Sequence, residues 1–538
     1  MGHREPCASA ASGSIRGSGS RRRNHSHPAR TQRDRLDVGG APVSPTLRER
    51  LVQRAVAGRY DLFMGVGAGL ALLGLILFVQ SLLAGEESAV RAWQLFHVNW
   101  VYFTGLAGGS VAFAAVQKIT NAKWSGLMIR FAEAAVAFLP ISLLGFVLIF
   151  TAGYEYIYGP MEHALPSLPH SKSVWLSHSF MFGRLAVGLL ALTVVGWKLV
   201  RADLTPDMHA VRSSVGGWRR GLYERWSSAY ERTPPVEHER RIRRLAPVYV
   251  VIYAYVFTLV AFDGIMALQP HWFSNLLGGF FFMGSFLGAH MLLALLMLYG
   301  ASHLGVALMV SPKQRHDLGK LCFGFTVFWT YLMWAQFLVI WYGNLPEETG
   351  FVFARLWGHW LPIGKAVFLG MFVIPFFGLL GVAPKKTRVT LGFFATISLV
   401  SLWLERYLLV MPSITPLPGP TFGVPELGPT LAFAGLFLLA YALFGRIFPM
   451  LSPRLAEITL DHERGHAIES GEFEHEEGSR DYVPPDLLER RSRPREEGYG
   501  LWAMGYGLFY WLLASSETQR PSAPVNGGSF AFGVAHSP

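Results

Sequence analysis

Ten stretches of roughly 20 residues are long enough and apolar enough to cross a bilayer as helices. They run over 61–83, 93–117, 127–151, 174–199, 245–268, 275–309, 316–343, 358–382, 388–411 and 428–452. In hydrocarbon every backbone N–H and C=O must be satisfied inside the protein. A chain with such stretches therefore folds as a bundle of helices. The composition of the 538 residues, 51% hydrophobic and 15% charged, belongs to that class. The expectation is an all-α integral membrane protein with ten transmembrane helices over 59–455. A disordered basic arm over 1–58 precedes it. A polar tail over 456–538 follows, with one short apolar segment at 499–513.

The connections alternate in charge. Arg54 and Arg59 precede the first span, and Lys118, Lys123 and Arg130 surround the second connection. The fourth, 200–244, is crowded with arginine; Lys313 and Arg315 mark the sixth, and Lys385, Lys386 and Arg388 the eighth. The intervening connections read GEES, YGPMEH, QPHW, NLPEET and PELG. The excess of basic residues on one side predicts that both termini are cytoplasmic and that the acidic, aromatic turns face outward. The net charge of +11 thus reports topology. Membrane lipid is the expected partner of these residues, and nucleic acid is not.

An internal repeat runs through the spans. Phe103-x-Gly105-xxx-Gly109 recurs as Phe282-x-Gly284-xxx-Gly288, and Tyr158–Glu162 (YGPME) recurs as Tyr342–Glu347 (YGNLPE). His178 and Arg184 have the spacing of His359 and Lys365; Asp263 and Pro270 have that of Glu405 and Pro412. The matches predict two tandem four-helix bundles in parallel orientation, spans two to five and six to nine, flanked by spans one and ten.

Charges within spans face a bundle interior, pair with each other and mark ion, proton or substrate paths. On the outward side lie His97, Asn99, His178, Asp263, Lys365, Glu405 and Arg406, with His271 and His359 in the turns. Arg184 is about 15 Å deep at 1.5 Å per residue. Arg184 and Asp263 have two open roles. One is an ion pair that ties the bundle together. The other is a site for a polar head group that gains and loses protons, as a quinol does. Asp263 with His178 or His271 suits the base, and Arg184 the donor. His359, Lys365, Glu405 and Arg406 are the second-bundle equivalents. On the inward side Arg130 and Glu133 share a helix face, as a snorkelling salt bridge or as the mouth of a proton path.

No redox cofactor or metal is expected in the chain. Cys7 and Cys322 are its only cysteines and no CxxCH is present, which removes covalent haem and iron–sulfur ligation. His290 and His303 lie on one span, about 220° apart around its axis, and do not form the paired set a bundled b-haem needs.

The segments FTGLAGGSVAFAAVQKITNAKWSGLMIRFAEAAVAFLP, FDGIMALQPHWFSNLLGGFFF and DLGKLCFGFTVFWTYLMWAQFLVIWYGNLPEETGF resemble the NrfD/polysulfide-reductase-type membrane subunits. The closer likeness is to the ActF-type subunits of alternative complex III, the bacterial quinol:cytochrome c oxidoreductase, and it covers roughly 60–455. The most specific parts are Trp341–Glu348 and Asp263–Trp272. The resemblance implies a subunit of a respiratory complex in the bacterial cytoplasmic membrane that is not catalytic alone. It further implies quinol as the substrate of the complex, with a related ActC-type subunit as the better-supported quinol site, so that this chain contributes to quinol binding, to proton transfer near the periplasmic face, or to both. The implied partners are an iron–sulfur/molybdopterin-like periplasmic subunit, a multihaem c-type cytochrome and a second NrfD-like subunit. A non-catalytic scaffold and a secondary transporter are the competing readings.

The charge pattern makes a direct prediction. With Glu162, Gln269 or Glu347 replaced by cysteine, an impermeant thiol reagent added outside should label each variant. It should not label Arg220→Cys or Lys386→Cys. External labelling at position 220 would reverse the orientation.

Overall fold

The computed structural model describes residues 47–415 and 419–469. Among them every regular element is a helix, and nine helices are long and apolar enough to cross a membrane. In chain order the principal helices are α1 (Leu47–Val56), α2 (Asp61–Leu83), α3 (Glu86–Ile119), α4 (Ile129–Thr151), α5 (Tyr154–Ala164) and α6 (His178–Val211). Next come α7 (Arg220–Glu231), α8 (Pro235–Gly264), α9 (Leu277–His303), α10 (Pro312–Gly343) and α11 (Pro346–Leu356). The series ends with α12 (Gly358–Leu380), α13 (Arg388–Ile414), α14 (Val424–Ile447) and α15 (Pro453–Glu469).

Nine of the expected spans fall on α2, α4, α6, α8, α9, α10, α12, α13 and α14. The remaining one, 93–117, falls on α3, which is not among the nine apolar helices. Burial is the reason. From Ala92 to Ala115 almost every residue of α3 is buried, His97, Asn99 and Thr104 completely. A helix enclosed by protein needs no lipid-facing apolar side, so it can carry polar and small residues. α2 is the opposite case: it is apolar all round and mostly exposed.

Local chemistry sets the helix ends. At the start of α10, the Ser311 hydroxyl accepts from Gln314 N at 3.0 Å and Pro312 takes the first helical position. At its end Asn344 adopts the left-handed conformation, φ 48°, and donates its N–H to Ile340 O. Lys385 donates to Leu379 O and Leu380 O, 2.8 and 3.2 Å away, at the C-terminus of α12. Burial pushes its ammonium below the ordinary lysine range.

Two departures from expectation concern segments outside the spans. The arm expected to be disordered over 1–58 contains α1, whose Leu51 and Ala55 are buried where it meets α6 and α15. Its apolar residues recur four apart, which gives the helix one face to bury. The rest of the arm up to 46 and the segment 499–513 lie outside the described residues. The arginine-crowded connection 200–244 is itself mostly helical, formed by the end of α6, by α7 and by the first turns of α8.

Three of the four repeated glycines lie along one seam. α3 packs on α9 with Gly105 against Ser285, Gly109 against Ser285 O and Gly288 against Leu106 and Leu402. The first and tenth expected spans, α2 and α14, pair with each other through Gly67, Gly74, Gly428 and Gly435. A Cβ at Gly74 would lie 2.1 Å from Ala432 N, and one at Gly435 2.2 Å from Ala71 N. Gly65, on the same helix α2, has open space beside it. Gly74→Leu and Gly435→Leu should each destabilise the protein in detergent by about 1–3 kcal/mol or more, because backbone atoms cannot give way. Gly65→Leu should leave the unfolding midpoint in place. Equal midpoints for all three would dismiss the close pairing of α2 with α14.

Candidate functional site

Charged residues gather at the two ends of the bundle. Lys118, Arg388 and Arg454 mark the basic end; Trp272, Trp341 and Trp357 mark the aromatic end. Three clusters matter.

At the basic end, Arg130 on α4 is fully buried and joins Glu133 and Asp207 through its two terminal nitrogens. Its Nη2 also lies 3.2 Å from Asp203 Oδ2. Lys118 from α3 reaches Asp203 Oδ1 at 2.7 Å and Glu133 Oε1 at 3.6 Å, and Arg454 from α15 reaches Asp203 Oδ1 at 3.1 Å. Three cations thus meet three carboxylates. A snorkelling pair is excluded, because Arg130 has no exposed surface. Asp203 and Asp207 were not singled out in the sequence. A signal for them exists. Leu185, Leu189, Leu192, Gly196 and Leu199 form the buried stripe of α6, and Asp203 and Asp207 continue it with the same spacing.

At the aromatic end of the first repeat, Arg184 and Asp263 meet. Arg184 Nε donates to Asp263 Oδ2 at 2.8 Å and Nη2 to Oδ1 at 2.5 Å. This is the two-pronged geometry that suits a guanidinium and a carboxylate. Arg184 Nη1 donates to Trp175 O at 2.6 Å, and the guanidinium lies 4.0 Å from the centre of the Trp175 ring. The Asp263 carboxylate is wholly buried behind it. Tyr158 donates its hydroxyl to Asp263 O at 3.1 Å. Burial, assisted by Asp263 and Tyr154, holds the Tyr158 hydroxyl well above its ordinary pKa, so it remains a donor. His97 Nε2 donates to Gly264 O at 2.7 Å and His178 Nε2 to Phe150 O at 3.0 Å. Both histidines therefore support the backbone and not the carboxylate. His271 is exposed on its turn and joins none of these bonds. An apolar groove of about 690 Å³ between α6 and α8 runs past Arg184 along Gly183, Gly188 and Ala191.

The second repeat differs. Glu405 and Arg406 on α13 pair, with Arg406 Nη1 donating to Glu405 Oε2 at 2.6 Å. Arg406 Nη2 is anchored on Phe281 O and Ser285 Oγ at 3.2 and 3.3 Å. Among the described residues Glu405 Oε1 has no hydrogen-bond partner. Glu405 lines a partly open cavity of about 430 Å³ formed by α9, α10, α11, α12 and α13. Trp329, Gln336, Arg355 and Lys365 line the same space. Trp329 Nε1, Gln336 Oε1 and Arg355 Nε are also buried without partners. The rest of the wall is aromatic and aliphatic, including Phe280, Trp334 and Phe337. Lys365 and Glu405 line the same cavity without an ion pair between them, whereas His359 is exposed and outside the cavity. Arg355, Trp329 and Gln336 escaped the sequence reading because nothing in their local pattern separates them from an aromatic belt and a turn.

His290 donates Nδ1 to Phe286 O at 2.7 Å and is enclosed by Phe113, Phe286 and Phe325. His303 packs its ring against Tyr60 and Phe63. Among the described residues no group of three His, Cys, Asp or Glu side chains is arranged to hold a metal ion. No family model matches the chain, and no curated protein sequence matches it.

The basic-end cluster predicts a large stability effect. Arg130→Gln leaves three buried carboxylates facing two cations and should cost about 3–5 kcal/mol in reversible unfolding from detergent. Arg220→Gln, which removes the exposed pair with Glu224, should leave the midpoint unchanged. Equal midpoints for both variants would dismiss the cluster as a structural clamp.

Proposed function

We propose that this chain is the ten-span, NrfD-type membrane subunit of a quinol-oxidising respiratory complex, and that the cavity beside Glu405 takes the quinol head group. In this reading the two repeats form two four-helix bundles, and both termini are cytoplasmic. An iron–sulfur-bearing subunit and a c-type cytochrome sit at the aromatic end.

The observation that carries the reading is a largely apolar cavity whose lining residues Glu405, Gln336 and Trp329 hold buried polar atoms without partners among the described residues. A buried carboxylate oxygen, amide oxygen and indole N–H without partners are costly unless a ligand supplies the missing bonds. A quinol offers two hydroxyls at opposite ends of a flat ring. One donates to Glu405 Oε1, and the other accepts from Trp329 Nε1 or donates to Gln336 Oε1. The aromatic wall suits the ring, as ligand pockets with a few convergent polar groups do. Oxidation releases two electrons and two protons. Glu405 accepts one proton by general-base chemistry, and the second goes to solvent at the aromatic end. The electrons pass to a redox centre in the partner subunit, so this chain supplies binding geometry and a base.

The Arg184–Asp263 pair favours a different role for the first repeat. Both carboxylate oxygens are taken by one guanidinium, which suits a structural tie between α6 and α8.

In the assembled complex, Glu405→Gln should lower quinol:cytochrome c turnover about 100-fold or more, with subunit content unchanged. Asp263→Asn should lower thermal stability and spare most of the turnover. Normal turnover in Glu405→Gln with normal assembly would overturn the quinol reading and leave a scaffold.

A further inference from the structure

The cavity beside Glu405 holds more positive charge than its acid balances. Glu405 and Arg406 neutralise one another across 2.6 Å. Arg355 is 4% exposed, and its hydrogen bonds go to Phe351 O at 2.9 Å, Leu409 O at 2.7 Å and Ser413 Oγ at 2.6 Å. All three acceptors are neutral. Among the described residues no carboxylate forms an ion pair with Arg355, including Glu347 and Glu348 on its own helix α11. Lys365, on α12, lines the same cavity and among the described residues likewise forms no ion pair. Guanidinium does not lose its proton in proteins. Arg355 is therefore a buried cation beside the cavity with no counter-charge among the described residues, and Lys365 is an exposed cation at its rim. A buried charge in that state is costly, and an anion delivered with the ligand relieves it.

Resting on the reading that this cavity takes a quinol, we propose that the quinol is held there as its monoanion, with Arg355 and Lys365 as its counter-charges. On binding, one hydroxyl O–H bond of the head group breaks and a new O–H bond forms at Glu405 Oε1. The negative charge moves from Glu405, beside Arg406, to the head-group oxygen beside Arg355 and Lys365. Total charge in the site is unchanged, so the transfer brings no ion into the membrane. Arg355 suits the role because its position is already fixed by three hydrogen bonds and its Nε is still free to donate. Arg355 and Lys365 act here by fixing the ionisation state of the bound head group.

The test compares two probes of nearly the same shape. One is 2-hydroxy-1,4-naphthoquinone, whose acidic hydroxyl changes the visible spectrum when it ionises. The other is its O-methyl ether, which cannot ionise. Both are titrated into the full chain in lipid nanodiscs. The hydroxyl compound should bind at least ten times more tightly than the ether. Its bound spectrum should be that of the anion at pH values where the free compound is still protonated. Lys365→Gln, which alters an exposed side chain, should reduce that preference and move the ionisation of the bound probe to higher pH. Arg355→Gln should abolish the preference, and Arg355→Lys should restore part of it. Equal affinity for the two probes, with the bound hydroxyl compound protonated, overturns the anion proposal and leaves the quinol cavity standing. Failure of both probes to bind overturns the cavity as a quinone site as well.

Discussion

A charge enclosed within a membrane bundle has to be answered by another charge within reach, and the cluster around Arg130 is where this protein meets that constraint. It joins α3, α4, α6 and α15, four helices well separated in sequence, at one point. Each partner is nearly or fully buried except Lys118 and Arg454, which retain some exposure at the rim. Removing any one member strands its partners in a medium that solvates them poorly. The cluster thereby fixes how far α6 extends past the apolar zone and where α15 crosses. Thr459 on α15 accepts from Gly126 N at 2.9 Å and donates to Lys123 O at 2.6 Å, so the turn between α3 and α4 is held from the same side. The basic end is thus closed by a network of ion pairs and hydrogen bonds that joins the four helices.

The aromatic end has two answers to the same problem. In the first repeat Arg184 takes both oxygens of Asp263, and the histidines nearby are occupied by backbone carbonyls. In the second, Arg406 is anchored on Phe281 O and Ser285 and takes only one oxygen of Glu405. The remaining oxygen is buried without a partner among the described residues, on a residue that lines the cavity. The difference follows from position. Arg184 comes from a neighbouring helix and meets Asp263 head on, whereas Arg406 is adjacent to Glu405 in sequence and must reach around its own backbone. A sequence repeat that places a carboxylate at the same position in both halves therefore does not give both halves the same chemistry.

Much of the architecture was legible because hydrophobic length and the spacing of charges are local properties. Each expected span falls on a helix, and the alternation of basic and acidic connections follows the two ends of the bundle. Asp203 and Asp207 show where that reading stopped short. They continue the apolar stripe of α6 past its last hydrophobic turn, and a boundary drawn by hydropathy cut them off as connection. Arg355 was hidden for another reason. Its burial is created by Leu409 and Ser413, more than fifty residues away, and no local pattern announces a long-range partner. The repeat of Gly105 and Gly109 as Gly284 and Gly288 does not announce that α3 packs on α9. That Ser285 would stand between Gly105 and Arg406 depends on helix rotation, which spacing alone does not set.

That placement of Ser285 limits how the second site can respond to a proton. When Glu405 is neutralised, Arg406 loses its counter-charge and would be drawn elsewhere. Its other bonds go to Phe281 O and Ser285 Oγ, both on α9. Movement of α9 toward α3 is blocked, because Ser285 already lies where a single added carbon on Gly105 would be 2.7 Å away. Gly288 is similarly enclosed by Leu106 and Leu402. A seam packed this closely transmits strain instead of absorbing it. Tyr102 and Trp403 bind the halves further, through Leu399 O at 3.0 Å and Asn99 Oδ1 at 2.9 Å. In the proposed reaction the charge change at Glu405 is therefore accommodated within the cavity while the helices hold their places. A base whose surroundings cannot rearrange keeps its geometry through the transfer, and that fixed geometry is what a positioned general base requires.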